Sequence, residues 1–464
     1  MSLAAKFGCG DACRSLLGHW RFEQWWVRKV VEIFILAVSS LVWTVPVHAQ
    51  ENVVPQTNPN QDTRESQSGY EKLPEFGGPE SVSRQLKHAD EEREALYRFD
   101  GLQRNLSPYF DWKRRINDDN GVALGFQFYA LYQKASDSLA VRDDDAAGNI
   151  FRFLGNWQVF ERDNGNIGRI EWRLERRSDM FGLQAPGSLG GATGVTTLVP
   201  GFGYSDNFDL DLSVINWTQG FASGKAGFAV GRLDFAAYLD AFPFQTFSKG
   251  FLNRSFVVNP TLATTGIGAI GGVVKGFVSR NIWLGAQAYD ANAVSGDFDF
   301  DTVQEGEWLK AIELGYTPSF AQRKKQLAQF TYWEKDARAK AGTSEGRGWA
   351  ISAAYDVGNG LFPFVRFGHS DGGAGVAAED AISLGAQLTT KFDQVWSFGA
   401  GWARPSEQTF GPGLENETVL ETSYKVQQSK NFSLTPDLQV IFNPARNPDE
   451  SSVWVAGLRI ILTI

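Results

Sequence analysis

The sequence predicts an all-β protein, a closed antiparallel transmembrane β-barrel of about sixteen strands with short periplasmic turns and long external loops. Three observations predict it. Beyond residue 120, apolar side chains recur at every second position, the period of a strand with one apolar face. The segments with that period are joined by short and long connections in strict alternation. The mean hydropathy of -0.25 is far too low for a bundle of membrane helices, yet suits strands that are apolar on one face only.

In chain order, Arg28 and Lys29 precede an apolar stretch at 33–45, and Val47-His48-Ala49 offers small residues for cleavage. The stretch is too short to span a bilayer as a helix. Residues 1–49 are therefore expected to be an export signal. Cys9 and Cys13, the 2 cysteines of the chain, fall inside it, so the body carries no disulfide or thiolate chemistry. Residues 50–105 read as a polar linker, rich in Asn, Gln and Pro, with a short exposed helix expected over 81–98 and a helical plug or an oligomerising stalk as the alternative. The barrel is expected over 106–464.

The clearest strand is 167–177. Ile170, Trp172 and Leu174 form one face, and Arg169, Glu171, Arg173, Glu175 and Arg177 form the other. In 208–216, Phe208, Leu210, Leu212 and Val214 oppose Asp209, Asp211 and Ser213. The same pattern gives strands at 121–133, 149–160, 167–177, 208–217, 225–232, 265–278, 281–289 and 307–317. It continues through 325–334, 347–357, 361–369, 380–391, 395–403, 417–427, 431–442 and 452–464. In lipid every backbone N–H and C=O must be paired within the protein, and closing the sheet achieves this. Five charges on one strand face would be costly in a dry core, so the interior is expected to be wet. Trp and Tyr near strand ends, among them Tyr132, Trp157, Tyr289, Trp333 and Trp454, are expected at the lipid interfaces.

The longest connection, 233–264, carries Phe244, Phe247, Phe251 and Phe256 beside Asp234, Asn253 and Arg254. So aromatic a loop is expected to fold inward and narrow the lumen. Each phenylalanine there either offers solute a flat apolar face or packs the loop against the inner wall. Opposite it, Arg169, Glu171, Arg173, Glu175, Asp209 and Asp211 are expected to supply charge and hydrogen bonds.

Other motifs carry little. Gly266 to Gly271 fits a G-x-G-x-x-G pattern, but a β-prone Val273-Val274 follows where a dinucleotide site needs a helix. Asp297, Asp299 and Asp301 resemble the start of a calcium loop, but Thr302 and Trp308 replace the required Gly and Glu. His369, Ser370 and Asp371 are adjacent in sequence and do not form a spaced triad. No cofactor or metal site is expected. The net charge of -9 argues against nucleic acid as a partner.

Gly231-Arg232-Leu233-Asp234, followed by Gly250-Phe251-Leu252-Asn253 and Asn259-Pro260, resembles the carbohydrate-selective porin (OprB) family. So does Leu434-Thr435-Pro436-Asp437-Leu438-Gln439 with the closing Gly457-Leu458-Arg459. The resemblance covers roughly 105–464. It implies a sixteen-stranded barrel in the outer membrane of a didermic bacterium, surrounded by lipid and passing small sugars by facilitated diffusion. A general or ion-selective porin is the alternative, and a barrel enzyme a more distant one. The family's constriction uses arginines, acids and aromatics of loop and wall. That implies Arg169, Glu171, Arg173, Glu175, Arg232, Asp234, Phe251 and Asn253 here. Porins of this size often form homotrimers, although the sequence shows no interface.

Overall fold

The computed structural model describes residues 67–464 apart from 74, 98–99, 140–141, 163–164, 205–206, 247, 249 and 299. The expected export signal, the linker up to residue 66 and Phe247 lie outside the described residues.

Sixteen strands close into one antiparallel barrel. They are β1 Val122–Ala135, β2 Asp145–Arg162, β3 Asn166–Asp179, β4 Phe208–Phe221, β5 Ala226–Leu233, β6 Ala269–Phe277, β7 Ile282–Asp290 and β8 Trp308–Tyr316. There follow β9 Gln326–Lys335, β10 Gly346–Tyr355, β11 Leu361–Ser370, β12 Ala378–Thr389, β13 Val395–Pro405, β14 Glu417–Ser429, β15 Phe432–Phe442 and β16 Ser452–Thr463. Each pairs with its sequence neighbours, and β1 closes on β16 through pairs such as Phe128 with Leu462. No strand is left with an open edge, as lipid demands. The outward positions stay apolar and open: Val274, Ile312 and Leu314 are each about half exposed. No described helix is long and apolar enough to cross a membrane.

Two expectations about facing are corrected. The register of β3 against β4 shifts between Arg173 and Leu174, and again between Glu175 and Arg177. A bulge inserts an unpaired residue and breaks the period of two. Ser213 and Val214 therefore both turn inward, whereas Leu210 and Leu212 remain outside. At the second shift Asp209 leaves the inner wall and lies fully exposed beside the outward Arg176. Tyr289 and Trp333 likewise point into the barrel and are completely buried, whereas Tyr132, Trp157 and Trp454 do face outward.

The helix expected over 81–98 exists as α1, Val82–Asp90, but it is not exposed. Its apolar residues Val82 and Leu86 pack with Ala123, Leu154 and Val214 of the inner wall. Segment 67–97 thus forms a strap whose middle, 75–90, lies inside the barrel and whose end, 91–97, is mostly exposed. Asp90 folds it back by accepting from the backbone N–H groups of Ser68 at 2.8 Å and Tyr70 at 3.0 Å. Its far end crosses to β14, where the N–H groups of Leu96 and Tyr97 donate to Gln427 and Gln428. A second helix, α2 (Asp100–Asn120), links the strap to β1 and is mostly exposed.

Candidate permeation site

The alternation in β3 sends five charged side chains inward, and the structure joins them into a ladder. Arg152 of β2 donates from Nε to Glu175 at 2.6 Å and from Nη1 to Glu80 of the strap at 2.8 Å. Arg173 reaches Glu175 at 3.0 Å and Asp234 at 2.9 Å. Arg177 donates to the other oxygen of Glu175 at 2.6 Å and to the Gly203 carbonyl at 2.6 Å. Further along, Arg169 lies 3.6 Å from Glu171, which accepts from Asn156 and from the Ser83 hydroxyl of α1. Four guanidiniums face four carboxylates, all nearly inaccessible. Removing that many charges from water is tolerable only because each finds an opposite partner. Some donors stay uncommitted: Arg173 Nη1 and Arg169 Nη2 make no hydrogen bond among the described residues.

The loop 234–268 folds inward. Arg232 fixes its base with a bidentate grip on Asp211 at 2.9 and 3.0 Å, and a 2.8 Å bond to the Gly268 carbonyl. Asp234 caps the loop's first turn by accepting from the Ala236 N–H at 3.0 Å. Asp240 is held by Arg366 at 2.6 Å and by Gln329 at 2.7 Å. Asn253 donates to the Leu198 carbonyl at 2.7 Å and to Gln439 at 2.9 Å, so it ties this loop to loop 180–207 and to β15. Arg254 lies over the Phe202 ring at 5.1 Å.

Phe244 and Phe251 are buried and turn away from the ladder. Phe244 meets Phe364 of β11 at 4.9 Å, and Phe251 meets Phe256 at 4.7 Å. Of the two roles open to them, these contacts are those of packing the loop onto the wall. The wall there makes room: a Cβ on Gly399 would come 2.6 Å from the Phe256 ring.

Two of the cavities that flank the strap share Thr246 in their lining. One, of about 180 Å³, is lined by Glu80, Arg177, Phe202, Asp234, Phe235 and Thr246 among others. The other, of about 360 Å³, is a vestibule between the strap and the barrel wall, and it also touches Thr246. Six Lys and Arg side chains line it against three acids. Within it Glu75 is held by Lys324, by Lys87 at 3.1 Å and by Arg84 at 3.8 Å. Burial alone would raise the Glu75 carboxyl, but Lys324 and the other cations outweigh it and hold it below the usual carboxylate value. Lys324 is itself lowered, by burial first and by Arg84 and Lys87 in addition, despite Glu75.

Comparison with known proteins fits this geometry. Residues 359–463, which span β11 to β16, match the carbohydrate-selective porin, OprB family, model. Porin AaxA of Chlamydia felis is 23% identical over 323 residues, covering 66% of this chain and 68% of that protein. Porin AaxA of Chlamydia abortus is 22% identical over 320 residues, covering 66% and 67%. The high-pH structure of Pseudomonas putida OprB superposes with a TM-score of 0.61 at 15% identity, covering 76% of this chain and 97% of that one, and so shares the fold. Over β11 to β16 the chain thus resembles the carbohydrate-selective porin, OprB family, and the barrel as a whole shares that fold. It is an outer-membrane β-barrel of the porin kind.

Within this porin, the residues expected at the site divide into three groups. Glu171, Arg173, Glu175 and Asp234 converge on the ladder, with Arg169 at its end. Arg232, Asp211, Asn253, Arg254, Phe244 and Phe251 hold loops in place. Asp209 is outside. Two central members went unnoticed in the sequence. Arg152 was legible, as a lone charge between Ile150 and Leu154 on a strand whose other face is Phe151 and Phe153. Glu80 was not, because nothing local marks a polar segment as lumen-bound.

Proposed function

We propose that this porin passes small, uncharged carbohydrates by facilitated diffusion along the charged ladder. The observation that carries the reading is the ladder itself. Paired guanidinium and carboxylate groups, of which Arg177, Glu80 and Asp234 line a cavity, match the mixed donors and acceptors of a polyol better than the single charge of an ion. The neighbouring cavity of about 180 Å³ is smaller than the roughly 300 Å³ at which drug-sized pockets begin, which favours single sugar units. Two phenylalanines on its lining, Phe202 and Phe235, offer apolar faces to sugar C–H groups. Binding at each rung must stay weak, since a tight site would block flow.

Liposome swelling tests the reading. Proteoliposomes should swell faster in a monosaccharide than in a size-matched zwitterionic amino acid, and faster than in a disaccharide. Equal rates for the monosaccharide and the amino acid would make it a general porin instead.

A further inference from the structure

The strap is more than filling. Among the described wall strands, Glu175 is the carboxylate that Arg152 meets. Its second is Glu80, which arrives on a segment that precedes the barrel. Glu80 is 4% exposed, accepts from Arg152 at 2.8 Å and from Gln85 at 2.9 Å, and lines the smaller cavity with Arg177 and Asp234. The strap is anchored on both sides of this carboxylate. The Gly78 N–H donates to the Ala237 carbonyl of the inward loop, and Ser83 is bonded to Glu171 of β3. The position of Glu80 is therefore set by the loop on one side and by the wall on the other.

From this we propose that Glu80 is a specificity-determining residue of the channel, so that the segment before the barrel supplies one wall of the selectivity filter. The inference rests on the reading of the ladder as the solute path. With Glu80, the four arginines of the ladder are matched by four acids. Without it, the filter carries one uncompensated positive charge where water is scarce and Coulomb forces are strong. The strap thus sets the filter's charge as well as its width.

Planar-bilayer recording on the full-length porin tests this, with gel mobility of heated and unheated samples as the check on folding. In a salt gradient, Glu80→Gln should raise the anion-to-cation permeability ratio by about twofold or more. Glu80→Asp should keep it near the wild-type value. Glu80→Cys should repeat the shift, a negatively charged thiol reagent should reverse it, and a positively charged one should increase it. A folded Glu80→Gln barrel with an unchanged reversal potential overturns the proposal. So does failure of all three variants to give a heat-modifiable barrel, which would assign Glu80 to folding alone. The two readings fail separately: equal swelling in sugar and amino acid would remove the carbohydrate reading and leave the permeability shift standing.

Discussion

The two sides of the inner wall solve the same problem with opposite chemistry. From β2 to β4 the inward residues are Arg152, Asn156, Arg169, Glu171, Arg173, Glu175 and Asp211, and α1 docks on them through Glu80 and Ser83. From β10 to β13 they are largely Ala350, Ser352, Gly368, Ser383, Gly385, Gly399 and Gly401, and the inward loop packs on them through phenylalanines. The charged side recognises what lies against it by direction, because each bond has one geometry. The small-residue side does so by shape, because it offers only space. Elements fill the barrel from both sides, and charged groups are concentrated on the β2 to β4 side.

Breaking the charged side should have the larger effect. Arg152→Ala takes the guanidinium from Glu80, where Gln85 remains as a neutral donor, and removes one of three cations from Glu175; breaking a buried ion pair costs about 3–5 kcal/mol. The temperature at which the barrel loses its compact gel mobility should fall, and ion selectivity should change with it. A drop in stability with selectivity unaltered would take the ladder out of the solute path. Overfilling the small-residue side should cost less. Gly399→Val pushes a side chain against Phe256 and Phe251, an overpacking worth about 1–3 kcal/mol. Here the inward loop should shift, so that conductance changes while the anion-to-cation ratio does not. If the ratio moved as far as with Arg152→Ala, the two sides would not differ in kind.

The same contrast explains what the sequence disclosed. All sixteen expected strands are present, with ends within four residues, because lipid outside and polar contacts inside impose a period of two. The failures sit where that period is broken or reversed. One register shift turned Val214 inward and a second moved Asp209 to the outer face, and no composition signal announces either. Tyr289 and Trp333 point inward because the lumen is filled at their level and needs bulk there. The strap was misread for a related reason. Glu80, Ser83, Gln85 and Asp90 are polar because their buried partners are polar, so a lumen-docked helix has the composition of an exposed one. The inward loop was legible as a loop that folds in, but the glycines that receive it lie more than a hundred residues away in sequence.

The smallest expected effect tests whether the strap is latched by charge. Glu75 is held below its ordinary value, so its contribution to docking is fully present above the unfolded carboxylate value and is lost as pH falls through the lower folded value. Protonation of Glu75 removes the carboxylate that separates Lys324, Lys87 and Arg84 from one another and from the adjacent Arg323. Lowering the pH below the usual carboxylate range should loosen the strap, read as faster protease cleavage within 67–97 while the barrel keeps its compact gel mobility. Glu75→Gln should show that faster cleavage already at neutral pH and a flatter response to acid. An equally steep acid response in Glu75→Gln would move the latch to another carboxylate of the strap and leave Glu75 as one contact among many.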